Sequence, residues 1–88
     1  MRIKAFKIEP STAIKIFEKH SVLQKEIMEM LQRNPKFKKA GGNQYVAVGV
    51  GTGRYITVFF VYDHASGEAE ITTAYPSDKK QIAWHRKK

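Results

Sequence analysis

The sequence predicts an α+β fold, with an antiparallel sheet of four to five strands and two N-terminal helices packed on one of its faces. Two helical patterns come early in the chain, whereas strand patterns follow one another from residue 36 to residue 75. The late connections are short, so each of these strands is expected beside its predecessor. A chain of 88 residues accommodates one domain, which we expect to span residues 1–88 in the order β-α-α-β-β-β-β.

The first strand and the first helix are predicted from alternation and from a helix-start signal. The segment Arg2 to Ile8 alternates loosely and is predicted to be a strand. Ser11 is a favourable N-cap residue, so a helix is expected from Thr12 to Lys19. The apolar residues expected on its buried face are Ala13, Ile14 and Phe17.

The second helix is predicted to begin at a capping box. Ser21 is followed three residues later by Gln24, the spacing in which a hydroxyl and a longer polar side chain cap a helix start. Asn34-Pro35 is expected to end this helix. Its buried stripe is predicted to consist of Leu23, Ile27, Met30 and Leu31.

Four strands are predicted after the second helix. Lysines at 36–40 suit an edge strand, and 44–50 alternates cleanly. The strongest strand signal is 54–62, RYITVFFVY, whose two faces are both apolar, which is typical of a strand in the middle of a sheet. The last strand is expected over 68–75, and the chain from Ser77 onward can form a C-terminal helix.

The charge distribution indicates a polyanionic partner. Sixteen Lys and Arg against eight Asp and Glu give a net charge of +8. Ten of the positive charges fall in residues 1–40 and five in 79–88, which predicts a positive rim around a nearly uncharged sheet. The alternative is a solvated lysine surface that only keeps the protein soluble.

Several function classes are excluded by composition. With no cysteine, the chain has neither disulfides nor cysteine zinc sites, and its three histidines are too far apart for a metal motif, so we expect no metal and no cofactor. No apolar run approaches the roughly 20 residues of a membrane helix, so we expect no membrane partner and a cytoplasmic protein. No nucleophilic serine motif or paired carboxylates are found.

The remaining polar and cationic side chains are suited to RNA cleavage, in which the substrate's own 2′-hydroxyl is the nucleophile. Arg54 is the only charged residue between Gly41 and Tyr62, and its guanidinium can form a bidentate contact with a phosphate. The candidate catalytic residues are Arg54, His20, Tyr75, Thr73 and His85. The candidate RNA-binding residues are Lys38, Lys39, Tyr45, Tyr55, Lys79, Lys80 and Arg86.

Arg54 and His20 can each have a structural role in place of a catalytic one. Arg54 could instead pair with Asp63, Glu68 or Glu70 across the sheet. His20 could simply be a basic residue at a helix C-terminus.

Three stretches of the chain are distinctive: KHSVLQKEIMEML at 19–31, QYVAVGVGTGRYITVFFVY at 44–62 and ITTAYPSDKK at 71–80. They resemble the BrnT family of bacterial toxins, within the RelE-like and barnase-like group of small ribonucleases. The resemblance spans about 8–80. In that family the last strand commonly ends in a small residue followed by an arginine, and Tyr75-Pro76 occupies that place in this chain.

The resemblance implies the toxin of a type II toxin–antitoxin pair, acting as a metal-independent endoribonuclease. It also implies a cognate antitoxin of the small ribbon-helix-helix type, with a toxin–antitoxin hetero-oligomer or a homodimer as the assembly. Two alternatives come from the residues themselves: a non-catalytic basic module that binds RNA or DNA, and a purely structural or interaction protein.

Overall fold

A computed structural model describes residues 2–87, which form one five-stranded sheet and three helices. In chain order the elements are β1 (Ala5–Lys7), α1 (Pro10–His20), α2 (Gln24–Leu31), β2 (Lys36–Gly41), β3 (Gln44–Val50), β4 (Tyr55–Asp63), β5 (Glu68–Pro76) and α3 (Lys79–Arg86). This order confirms the predicted α+β class and includes the C-terminal helix. None of the described helices is long and apolar enough to cross a membrane.

The strands lie in the order β1-β5-β4-β3-β2, so β4 is central and β2 is an edge strand, as predicted. The pairs β2–β3, β3–β4 and β4–β5 are antiparallel. In contrast, β1 pairs with β5 in parallel, with Phe6 opposite Ala69, so the prediction of a purely antiparallel sheet was wrong. Short connections fix the direction only of consecutive strands, whereas β1 reaches β5 from the other end of the chain.

The core lies between one face of the sheet and the two N-terminal helices. On β4 the buried residues of this face are Ile56, Val58 and Phe60, and they belong to the same cluster as Ile27 and Met30 of α2. We call this side of the sheet the covered face.

At Gly49 of β3 the covered face approaches α2 closely. A Cβ atom at this position would lie 2.9 Å from the Met30 sulfur and 3.3 Å from the Pro35 Cα. A glycine is therefore needed for this close contact between sheet and helix.

Helix α1 buries a narrower side than predicted. It begins at Pro10, whose fixed φ suits the first helical position, and its N-cap residue is Glu9, so Ser11 is not the cap. Ile16 is the buried residue of α1, whereas Ile14 is 58% exposed and Phe17 is 52% exposed. The predicted buried face was wrong because α1 packs mainly against β5, where Ile16 is the side chain that it buries.

Helix α2 follows a different cap from the one expected. Ser21 takes a left-handed conformation with φ 55° and donates its N–H to the Phe17 carbonyl, so it closes α1 and does not cap α2. The Glu26 carboxylate accepts from the Leu23 N–H at 3.3 Å instead. Ile27 and Met30 are fully buried as predicted, but the Leu23 side chain is 52% exposed.

The opposite face of the sheet carries Thr57, Phe59 and Tyr75, because side chains alternate along β4 and paired residues share a face. We call it the open face. Helix α3 covers only part of it, near β3 and, through its contacts with Tyr55 and Thr57, the start of β4. Partial cover leaves side chains of β2 to β5 accessible between α1 and α3.

Candidate functional site

A basic cavity of about 480 Å³ lies on the open face beside α3. Its floor is apolar, formed by Val48 and Phe59 among others, and the ring of Trp84 forms part of its wall. The amines of Lys36 and Lys38 lie 5.3 and 5.9 Å from the centre of that ring, within cation–π range. The full lining is Lys38, Lys39, Ala40, Val46, Val48, Phe59, Lys80, Gln81 and Trp84.

A second basic cavity, of about 300 Å³, lies between α1 and β5. Its lining is Thr12, Lys15, Ile16, Lys19, His20, Thr72 and Thr73. The two lysines are exposed, so their ammonium groups are available to an anion in this cavity. Of the candidate catalytic residues, His20 and Thr73 therefore come together here.

Tyr75 lies between the two cavities. Its ring centre is 5.8 Å from that of His20, which lines the second cavity, and 6.1 Å from that of Phe59, which lines the first. The Tyr75 hydroxyl accepts a hydrogen bond from the Gln81 side-chain amide at 2.9 Å. Tyr75, His20 and Thr73 thus form one cluster on the open face.

Helix α3 is capped at its start and fixed to the sheet at its end. At its start, the Asp78 carboxylate accepts from the Gln81 N–H at 2.8 Å, while the Gln81 side chain accepts from the Asp78 N–H at 2.9 Å. At its end, the Lys36 amine donates to the carbonyls of Trp84, at 2.9 Å, and Lys87. The cavity wall is therefore held by a capping box and by a cation at the helix C-terminus.

Arg54 lines neither of the two cavities and is paired with Glu26 of α2. Its Nε and Nη2 donate to the two Glu26 oxygens at 2.8 Å each, and Nη2 also donates to the Ser21 carbonyl at 2.7 Å. These hydrogen bonds from Arg54 lower the pKa of Glu26 below its ordinary value, and Glu26 raises the pKa of Arg54. The side chain of Arg54 is 39% exposed and that of Glu26 is 14% exposed.

The suggested partners for Arg54 across the sheet, Asp63, Glu68 and Glu70, were wrong. Arg54 immediately precedes β4, while Asp63 ends that strand and pairs in register with Glu68, so these carboxylates lie at the far end of the sheet. The carboxylate that pairs with Arg54 belongs to α2, which is distant in sequence. The alternation of side chains along strands cannot predict such a partner.

The other predicted residues are divided among different surroundings. Tyr45 lies on the covered face, stacked on Phe60 with ring centres 5.8 Å apart, so stacking on a nucleobase does not fit its position. Tyr55 and His85 contact each other edge to face at 5.4 Å, and neither lines one of the two cavities. The His85 Nδ1 is buried without a hydrogen-bond partner among the described residues.

The cationic RNA-binding candidates are exposed but only some line a cavity. Lys38, Lys39 and Lys80 line the cavity beside α3. Lys79 and Arg86 are exposed on α3 and line neither of the two cavities. Within residues 2–87 no three His, Cys, Asp or Glu side chains come together as a group that could hold a metal ion.

The structure is similar to that of the ribonuclease toxin BrnT from Brucella abortus, with a TM-score of 0.69. The chain has a BrnT-like fold. The similarity covers 85% of this chain and 97% of the Brucella toxin, at 14% sequence identity. No protein-family model and no curated protein sequence matches the chain. The predicted resemblance is thus confirmed at the level of the fold, and the function has to be inferred from the site.

Four residues of the site on this BrnT-like fold were missed in the candidate sets: Lys15, Lys19, Gln81 and Trp84. Lys15 and Lys19 are four residues apart, the spacing that brings two side chains to one side of a helix. Asp78 and Gln81 have the spacing of a capping box, which could have predicted where α3 begins. Trp84 then follows one turn later on the side that faces the sheet.

Proposed function

We propose that the protein is an endoribonuclease toxin that cleaves RNA on its open face. The observation that supports this best is the cluster of His20, Thr73 and Tyr75 between two lysine-lined cavities. The BrnT-like fold supports the same class of activity, since the structure it resembles is that of a ribonuclease toxin. Residues 1–88 then constitute one toxin domain.

The proposed reaction uses the substrate as its own nucleophile. The 2′-oxygen attacks the adjacent phosphorus, the bond to the 5′-oxygen breaks, and the products are a 2′,3′-cyclic phosphate and a 5′-hydroxyl. His20 accepts the proton of the 2′-hydroxyl, because imidazole is the usual proton acceptor near neutral pH. Tyr75 donates its hydroxyl proton to the departing oxygen, and Lys15 and Lys19 stabilise the charge on the phosphate. This reaction needs no metal-bound water.

The cavity beside α3 would hold a neighbouring nucleotide. Trp84 and Phe59 offer aromatic surface to an unpaired base, and stacking of this kind contributes about 1–3 kcal/mol per base in proteins that bind single strands. Lys38, Lys39 and Lys80, which line this cavity, would bind the flanking phosphates.

A cognate antitoxin would inhibit such a toxin by covering the open face. The resemblance to the BrnT family favours a small ribbon-helix-helix protein as this partner, in a hetero-oligomer formed in the cytoplasm. An acidic segment of the antitoxin would suit the two lysine-lined cavities.

The test is expression of the wild type together with Tyr75→Phe, His20→Ala and the matched control Tyr45→Phe. Wild type and Tyr45→Phe are expected to arrest growth and to produce RNA fragments with 5′-hydroxyl ends, because Tyr45 lies on the covered face. Tyr75→Phe and His20→Ala are expected to reduce cleavage by about 10²-fold or more, the usual contribution of a proton-transfer group. Purified wild type should cleave RNA in EDTA. If wild type leaves RNA intact, or Tyr75→Phe cleaves normally, the proposed reaction is wrong.

The second candidate function is a basic module that binds nucleic acid without cleaving it. The cavity with Trp84 beside three lysines favours binding of a single strand whether or not a reaction follows. In this case RNA would be recovered intact, and the affinity of the protein for RNA would fall steeply as the salt concentration rises.

Arg54 remains a predicted catalytic residue, although its pairing with Glu26 provides a structural role. If Arg54 binds the phosphate, Arg54→Lys should lose cleavage while Glu26→Gln retains it in the folded protein. If Arg54 acts only through the pair, both variants should lose activity in proportion to their loss of folded protein.

A further inference from the structure

The orientation of the Gln81 side-chain amide is determined by a backbone group. The Asp78 N–H can only donate, and it lies 2.9 Å from Gln81 Oε1. With the amide flipped, two donors would face each other at that distance, which is repulsive. The carbonyl oxygen of Gln81 therefore faces Asp78, and its NH₂ group faces Tyr75.

The same reasoning assigns the hydroxyl protons around Gln81. Thr57 is fully buried and its hydroxyl lies 2.9 Å from Gln81 Oε1, which accepts only, so Thr57 must donate to it. The single proton of Thr57 is then used, and the Ser77 hydroxyl, 2.7 Å away, must donate to Thr57. The donor and the acceptor of every hydrogen bond in this network are therefore assigned.

At the end of the network, the Tyr75 oxygen accepts a hydrogen bond from Gln81 Nε2 at 2.9 Å. Since Nε2 offers only donors, the Tyr75 proton cannot point toward Gln81. The proton is directed away from α3, where it is available to an acceptor on the open face. An anionic phosphate bound beside His20 is such an acceptor.

We propose that Gln81 is a positioning residue, which holds Tyr75 as a hydrogen-bond donor toward the RNA phosphate by directing its hydroxyl proton away from α3. The inference rests on the proposed role of Tyr75 in RNA cleavage. Gln81 lines the cavity beside α3, but it does not touch the reacting atoms and acts on the cleavage step through Tyr75.

The test is Gln81→Glu, which should reverse the last hydrogen bond and preserve the others. A carboxylate at position 81 still accepts from Thr57 and from the Asp78 N–H, so the network around α3 remains satisfied. Its second oxygen can only accept, so the Tyr75 proton is expected to turn toward it and away from the substrate. Ala83→Glu is the matched control. Ala83 is exposed on α3, so this substitution adds the same charge to the helix away from the network.

Cleavage of a mixed-sequence single-stranded RNA and binding of its all-2′-deoxy counterpart are measured for each variant. Gln81→Glu should lower kcat by about 10²-fold, close to the effect of Tyr75→Phe. The kcat of the double variant Gln81→Glu/Tyr75→Phe should be no lower than that of Tyr75→Phe alone, since both changes remove the same donated proton. Because Gln81 lines the cavity beside α3, its replacement by Glu should weaken binding of the uncleavable strand more than Ala83→Glu does, so kcat is compared at saturating RNA.

The inference is overturned if Gln81→Glu cleaves like Ala83→Glu, or if its loss multiplies with that of Tyr75→Phe. A normal Tyr75→Phe would instead overturn the proposed reaction, so the two failures are distinguishable. If thermal unfolding shows that Gln81→Glu does not fold, neutron diffraction from wild-type crystals decides the question. A deuteron on the Tyr75 oxygen that points away from Gln81 supports the inference, and one that points toward Gln81 overturns it.

Discussion

Breaking the ion pair between Arg54 and Glu26 should destabilise the protein by an amount that depends on pH. The pair joins the start of β4 to α2 through two hydrogen bonds of 2.8 Å, in the geometry that suits a guanidinium and a carboxylate best. Arg54→Met removes the guanidinium but keeps most of the apolar stem. Glu26→Gln removes the charge of the partner with little change in shape.

The magnitude follows from the burial of the two side chains. Hydrogen bonds to charged groups contribute about 1.5–3 kcal/mol, whereas exposed ion pairs contribute about 0.2–1 kcal/mol. Arg54 is 39% exposed, so solvent screening places the expected coupling energy between these ranges, at about 1–2 kcal/mol. For a chain of this size, each kcal/mol corresponds to about 4–8 °C in Tm.

The pH dependence has a definite sign. The pKa of Glu26 is lowered in the folded protein, mainly because its carboxylate accepts hydrogen bonds from Arg54, and its ordinary value is 4.5. The stabilisation is therefore complete above about pH 4.5 and is lost as the pH falls through the lowered pKa of the folded state. Protonated Glu26 no longer attracts Arg54.

The assay is a double-mutant cycle of wild type, both single variants and the double variant, measured by urea unfolding at pH 7 and at acidic pH. Lys25→Met, an exposed change on α2, is the control for loss of a positive charge. A coupling energy below about 0.5 kcal/mol at pH 7 would refute the reasoning, since additivity within that limit is normal for independent sites. A coupling that is unchanged in acid would refute it as well.

Three further predictions concern packing and charge. Gly49→Ala should lower the free energy of unfolding in urea by about 1–3 kcal/mol, because its methyl group would press on buried Met30; unchanged stability would contradict the close contact. Ile14→Ser should change that free energy by no more than about 0.5 kcal/mol, since Ile14 is exposed on α1; a large loss would mean that Ile14 is buried. Lys19→Gln should reduce the slope of log affinity for single-stranded RNA against log salt by about 0.7, the contribution of one phosphate contact; an unchanged slope would place the phosphates elsewhere.

The parts of the fold that the sequence predicted best are those determined by local pattern. β3 begins and ends at the predicted residues 44 and 50, because it alternates cleanly between two turns rich in glycine. The central position of β4 followed from its two apolar faces. Ile56, Val58 and Phe60 of β4 are fully buried on the covered face, whereas Phe59 and Val61 are only partly buried on the open face.

The parts that could not be predicted depend on contacts distant in sequence. The buried side of α1 is set by its place at β5, so Phe17 is exposed although its spacing is that of a core residue. The partner of Arg54 is Glu26 of α2, and the hydrogen-bond donor to Tyr75 is Gln81 of α3. His20, Thr73 and Tyr75 remain predicted site residues, and only the fold shows that they lie close together and that Arg54 lines neither cavity.

The parallel pairing of β1 with β5 has a consequence for the order in which the protein can assemble. The first strand has no partner in the sheet until β5 has been synthesised, so the sheet cannot be completed before residue 76 is available. Tyr75 and the whole of α3 belong to that same late segment. Under the proposed function, a nascent chain that does not yet include β5 and α3 would be unable to cleave RNA.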